Sequence, residues 1–169
     1  VKKIIALIGL MGVGKTTLGT RLAKKLGYYF LDSDHEIEDR ERKSIPEIFT
    51  QNGEKYFREV EENIIEEIAM RDEKIVLSIG GGAFMSEKTR KILSEKALTI
   101  WLHAPIEELV RRVSNKNNRP LLNGKNRRLV LEELAKKRYP IYAEADLKFE
   151  TFNCSHENLT NQIIKKINE

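Results

Sequence analysis

Gly9-Leu10-Met11-Gly12-Val13-Gly14-Lys15-Thr16 is the run whose residue types and spacing bear most directly on chemistry. Glycines allow a backbone to wrap an anion with its N–H groups, in conformations that a side chain would obstruct. Lys15 is placed to reach the β- and γ-phosphates of a nucleotide, and the Thr16 hydroxyl to serve Mg²⁺. An apolar run from Ile4 to Ile8 feeds this loop and a helical pattern leaves it, so a helix N-terminus adds its positive dipole end. Gly12, Val13, Gly14, Lys15, Thr16 and Thr17 are therefore expected to hold the nucleotide. A plain turn with a solvated lysine is disfavoured because strand, loop, Lys-Thr pair and helix occur in the required order. A dinucleotide fingerprint fails locally, since Thr17 stands where the third glycine of G-x-G-x-x-G belongs.

A second candidate is Asp32-Ser33-Asp34, at the end of the short apolar segment from Tyr28 to Leu31. In an open α/β sheet ligands sit beyond the carboxyl ends of strands, so this pair should face the same crevice as the loop. Alternation along an extended strand would point both carboxylates the same way. One could hold Mg²⁺ and the other accept a proton from an attacking hydroxyl. A helix cap at Asp34, for the polar segment from His35 to Lys43, is the competing reading and is compatible with catalysis. Gly80-Gly81-Gly82 follows another predicted strand and suggests a substrate lying against the backbone, where a tight turn alone rarely needs three glycines. On spacing alone Arg58 falls off the apolar stripe of its helix and reads as a surface arginine.

The elements that must carry these groups follow from periodicity. Strands are expected at Ile4 to Ile8, Tyr28 to Leu31, Lys74 to Ile79, Ala97 to Leu102 and Asp146 to Phe149. Helical patterns separate them: one through Leu18, Leu22 and Leu26, a short one after Ser44-Ile45-Pro46-Glu47 that ends at Asn52-Gly53, and a longer one from Glu54 to Met70. Others open at Ser86-Glu87, run from Pro105 to Val113, run from Leu129 to Tyr142 with Pro140 expected to kink or end it, and close the chain. The expected fold is a single α/β domain over residues 1–169, doubly wound, with five largely parallel strands flanked by helices.

The net charge of +4 is concentrated: between Arg111 and Arg138 ten Lys/Arg face only Glu132 and Glu133. Such a stretch can bind a nucleic-acid backbone, be a solvated helical face, or close over nucleotide phosphates; the phosphate loop favours the last. Aromatic residues do not interleave with these charges, which weakens a single-strand stacking platform, and no nucleic-acid partner is expected. Asn115-Lys116-Asn117-Asn118 looks like a guanine-binding N-K-x-D, but Asn118 replaces the aspartate. The turn-rich Arg119-Pro120-Leu121-Leu122-Asn123-Gly124 suggests a mobile lid over about residues 114–125 that brings Arg119 to the transferring phosphoryl group. One cysteine, Cys154, allows no internal disulfide, and no apolar run approaches a membrane span. A cytoplasmic enzyme without membrane contact, monomeric and acting on a small molecule, is the expectation.

These residues, together with Ser44 to Phe49, Gly53 to Glu59, Arg119 to Leu122 and Arg138 to Tyr142, resemble the shikimate kinases, of the nucleoside-monophosphate-kinase-like P-loop fold. The resemblance covers nearly the whole chain. It implies ATP- and Mg²⁺-dependent phosphorylation of the 3-hydroxyl of shikimate, in chorismate and aromatic amino-acid biosynthesis. It also implies a substrate-binding helical segment over about residues 33–61. By the same resemblance Asp34 contacts the accepting hydroxyl as candidate base, and Asp32 joins Thr16 in the Mg²⁺ shell. Arg58 and Arg138 hold the substrate carboxylate, Gly80, Gly81 and Gly82 line its pocket, Arg119 and Lys15 approach the phosphates, and Arg112 lies against adenine. Arg42 stands about where the family often has glycine, which leaves open how the preceding helix ends.

Overall fold

The computed structural model describes residues 2–114 and 126–169. Five strands form one sheet: β1 (Ile4–Ile8), β2 (Tyr29–Asp32), β3 (Ile75–Ser78), β4 (Ala97–His103) and β5 (Leu147–Glu150), in the spatial order β2-β3-β1-β4-β5. Every neighbouring pair is parallel. Parallel pairing requires crossovers that lay helices over the sheet, so the central strands read as unbroken apolar runs. All five residues of β1 and all four of β3 are buried accordingly.

The crossovers are α1 (Lys15–Leu26), α2 (Ser33–Glu41), α3 (Ile45–Ala69), α4 (Glu87–Lys96) after a 3₁₀ turn at Ala83–Met85, α5 (Ile106–Val113), α6 (Arg127–Tyr142) and α7 (His156–Ile167). α1 and α7 pack together, as do α3 with α4 and α5 with α6. Gly19 makes the seat of α1 possible, because a Cβ there would come within 2.5 Å of the Phe30 ring. Serines cap at the two positions expected, Ser44 accepting from Glu47 N and Ser86 from Thr89 N, and Ser155 caps the last helix by accepting from Asn158 N.

The two helices expected on either side of Gly53 are both present, joined as α3 across a break where Gly53 takes the non-helical φ 86°, ψ 168°. Two other local expectations are revised. α6 runs through Pro140 to Tyr142, because a proline that close to the C-terminus forfeits one terminal hydrogen bond only. β5 starts one residue later than expected, since the Asp146 N–H donates to Thr99 Oγ1 at 2.9 Å in place of a ladder carbonyl. Among the described residues no helix is long and apolar enough to cross a membrane.

The end of α2 is settled by Arg42, which takes the left-handed conformation (φ 53°, ψ 39°) that glycine adopts without penalty. Around it the α2–α3 corner is held by Glu38 Oε2 accepting from Ile45 N at 3.0 Å and by Tyr56 donating to Glu41. Arg42→Gly relieves the crowding of a Cβ at the cost of a more flexible unfolded chain, and is expected to raise the melting temperature by roughly 2–4 °C. A fall in melting temperature would mean that the arginine side chain contributes more than its backbone costs.

Candidate active site

The carboxyl ends of β1, β2 and β3 open into a cavity of about 900 Å³ that the phosphate loop, the first turn of α2, α3, the glycine run and α6 enclose. At its floor Gly9 leaves the sheet so close to β4 that a Cβ would stand 2.7 Å from the Leu102 carbonyl oxygen. Gly12 and Gly14 take φ of 83° and 103°, the region that a loop wrapping an anion demands of glycine. Lys15 Nζ donates to the carbonyls of Gly9 at 2.8 Å and Leu10 at 3.2 Å, so its ammonium spans the mouth of the loop. Thr16 opens α1 and its hydroxyl donates to Asp32 Oδ2 at 3.4 Å. With Gly14 as N-cap making no side-chain bond, the helix end presents its N–H groups to the cavity.

The two carboxylates of Asp32-Ser33-Asp34 do reach this cavity, but by different means from those expected. The chain turns helical at Ser33, so strand alternation does not align them. Asp32, not Asp34, is the N-cap: its Oδ1 accepts from Asp34 N at 2.9 Å and His35 N at 3.3 Å. Capping thus occupies one oxygen of Asp32 and leaves the other toward Thr16. Ser33, fully buried, ties this corner to the glycine run by accepting from Gly80 N at 3.0 Å.

Each glycine of the run faces a different ionic side chain. A Cβ at Gly80 would stand 3.0 Å from Asp34 Oδ1 and from Glu61 Oε2; one at Gly81, 2.8 Å from Arg138 Nη1; one at Gly82, 2.5 Å from Arg58 Nη2. The run therefore lets four charged groups converge on its backbone, a requirement well beyond a tight turn. Arg58 is not the surface residue that spacing suggests. Its Nη1 donates to Glu61 Oε1 at 2.9 Å, its side chain is only 28% exposed, and it lines the cavity. Arg138 is 6% exposed, and its Nη1 is buried without a hydrogen-bond partner among the described residues. Two guanidinium groups facing one cavity, one with a donor unmatched, have the geometry and charge that suit a carboxylate. Ile45, Pro46, Phe49 and Phe57 supply apolar wall beside them.

Glu61 is the residue that sequence reasoning missed. It is 2% exposed, its Oε2 is buried without a partner among the described residues, and burial pushes its carboxyl up to about 7 against the opposing pull of Arg58. The signal was present: Glu61 follows Phe57 by four positions and precedes Ile64 and Ile65 by three and four, which puts a carboxylate on the apolar stripe of α3. His156, at the start of α7, and Met11 also line the cavity without having been singled out.

Arg112 lines the cavity from α5, and its Nη1 donates to the carbonyls of Gly12 at 3.3 Å and Val13 at 3.1 Å. Arg119 and nearly all of the expected lid lie outside the described residues. Among the described residues no group of three His, Cys, Asp or Glu could hold a metal by itself. One hydroxyl and one carboxylate, Thr16 and Asp32, nevertheless suit Mg²⁺, which completes its shell with waters and phosphate oxygens.

A parallel sheet of this order, with a glycine-rich loop between its central strand and the first helix, defines a P-loop nucleotide-binding fold, and the charged pocket beside it suits a phosphotransferase for a small acid. A shikimate kinase family model matches residues 11–168. The chain is 49% identical to a shikimate kinase from Caulobacter vibrioides over 91% of its own length and 76% of the relative's. Against a shikimate kinase from Zymomonas mobilis the identity is 48%, over 96% of this chain and 92% of the relative. Among solved structures, a shikimate kinase from Acinetobacter baumannii in complex with shikimate superposes with a TM-score of 0.93 at 39% identity, covering 97% of this chain and 92% of that one. The chain belongs to the shikimate kinase family.

Glu61 gives the site a pH signature. Its folded-state affinity for a proton exceeds that of the unfolded chain, so the stability it contributes is complete below its ordinary value of 4.5 and is lost as pH rises through about 7. The loss is on the order of 3 kcal/mol. Glu61→Gln, uncharged but still able to accept from Arg58, is expected to flatten the decline in melting temperature of the ligand-free protein between roughly pH 5 and pH 8. An identical slope in the variant would assign that dependence to another group.

Proposed function

We propose that this chain transfers the γ-phosphoryl group of ATP to the 3-hydroxyl of shikimate, with Mg²⁺, as a cytoplasmic monomer with no nucleic-acid or membrane partner. The observation that carries the reading is the convergence of Arg58, Arg138 and Asp34 on Gly80 to Gly82 within the same cavity as the phosphate loop. A ring bearing one carboxylate and several hydroxyls calls for this combination of guanidinium forks, a carboxylate acceptor and close backbone.

In the proposed reaction Arg58 and Arg138 clamp the substrate carboxylate and so fix the ring, while Asp34 accepts a hydrogen bond from the hydroxyl to be phosphorylated. The hydroxyl oxygen bonds to the γ-phosphorus as the bond to the departing ADP oxygen breaks, and the hydroxyl proton passes to Asp34. Because such transition states are loose, Asp34 orients the hydroxyl first and receives the proton as the new bond forms. The loop amides from Gly12 to Thr17 and the Lys15 ammonium hold the β- and γ-phosphates against the charge that develops. Thr16 and Asp32 would hold Mg²⁺, which would supply further charge neutralisation to those phosphates. Arg112 faces the nucleoside, and Arg119 is assigned to the phosphates on family resemblance alone.

The deciding experiment is ADP release from MgATP with shikimate, gluconate, AMP or no acceptor. Shikimate-dependent release with a phosphorylated shikimate product is expected; ATP binding without shikimate-dependent release would overturn the assignment. Asp34→Asn is expected to lower kcat by about two to four orders of magnitude with ATP binding nearly unchanged. Arg138→Ala, which removes a buried guanidinium from the clamp, should act chiefly on the KM for shikimate, raising it by about one to two orders of magnitude. Equal activity in the first variant, or a change confined to ATP in the second, would refute the role given to that residue.

A further inference from the structure

The last turn of α5 abuts the phosphate loop. A Cβ at Gly12 would come within 2.8 Å of Val113 Cγ1 and 3.7 Å of Arg112 Cβ, so no side chain fits between them. Arg112 bridges this contact through its Nη1, which donates to the Gly12 and Val13 carbonyls. The same guanidinium is gripped from behind by Glu108, one turn earlier on α5, whose Oε1 accepts from Arg112 Nε at 2.9 Å. Glu108 also takes Arg111, through Nε at 3.1 Å and through Nη2. Its side chain is only 11% exposed, and hydrogen bonds from Arg111 and then Arg112 hold its carboxyl below the usual range.

What this arrangement controls follows from peptide geometry. A trans peptide unit points its C=O and the next N–H in opposite directions, and none of the described peptide bonds is cis. Fixing the Gly12 carbonyl therefore fixes the Val13 N–H, which turns back on Leu10 O at 3.3 Å. Fixing the Val13 carbonyl directs the Gly14 N–H away from Arg112. These two peptide units lie between Gly12 and Gly14, both at positive φ, where rotation is least hindered. A loop built from glycines to admit an anion needs an outside contact to hold its amides in one orientation.

We propose that Glu108 is a positioning residue of the nucleotide site: by fixing the Arg112 guanidinium it pins the Gly12 and Val13 carbonyls and so presets the turn of the loop and its Gly14 N–H for the polyphosphate. This rests on the nucleotide reading of the loop, so direct titration of the wild-type protein with ADP comes first; absence of binding would overturn that reading and this role together. Given binding, Glu108→Ala is expected to weaken ADP affinity and raise the KM for ATP by about tenfold, with the KM for shikimate changed by no more than roughly twofold and the melting temperature unmoved. Glu108→Gln, which keeps one acceptor for Arg112 Nε, should recover part of the loss. In an Arg112→Ala background Glu108→Ala should cost nothing further. Wild-type ADP affinity in Glu108→Ala, a full additional loss on top of Arg112→Ala, or parallel losses for both substrates with a lowered melting temperature would each overturn the proposal.

Discussion

The site depends on strand β1 being held on both sides. Ile4 pairs with Ile75 of β3 and with Ala97 of β4, and the ladders continue to Leu7 and Ile8. Because the strand is dry on both faces, no water is available to replace a lost ladder bond, and the point at which the chain leaves the sheet is fixed. Parallel pairing then sends the carboxyl ends of the other strands to the same rim. Thus Gly9, Asp32 and Gly80, distant in sequence, meet with no dedicated scaffold to gather them.

On that rim the chain concentrates charge where solvent is scarce. Four ionic side chains converge on Gly80 to Gly82, and Arg138 and Glu61 keep buried atoms unmatched among the described residues. Desolvated charges of this kind are costly unless paired. The unmatched Arg138 donor beside the Arg58 guanidinium suits an anionic partner. Burial that raises Glu61 moderates the cost, since a neutral carboxyl beside Asp34 avoids two anions at one spot.

How much of this was legible depended on whether a signal was local. The phosphate loop, the five strands and the caps at Ser44 and Ser86 are each written within a few residues, and they stand within a residue or two of where the pattern put them. Asp32 and Asp34 were recognisable as a pair, yet the helix start at Ser33 is set by Asp32's own capping bonds, which gives Asp32 the cap that was weighed for Asp34. Arg58 could not be read from periodicity, because it flanks the stripe and becomes enclosed only when α3 meets the glycine run. Glu61 was legible as a carboxylate in an apolar register, while its proximity to Asp34 belongs to the tertiary fold. Gly53 marked the boundary correctly: its non-helical backbone separates the two helical halves of α3.

α6 carries Arg138 into the cavity and lays Tyr139 and Tyr142 against Trp101, with ring centroids 5.2 and 5.9 Å from the indole. Lys148 Nζ stands 4.5 Å above the same indole. Trp101 is the only tryptophan in the chain. The molecule consequently carries an intrinsic fluorophore in contact with the helix that brings Arg138 into the cavity: a shift of α6 by a fraction of an ångström alters the ring contacts, while the cation on β5 stays with the sheet. The emission of unlabelled protein is therefore a gauge of where that helix stands.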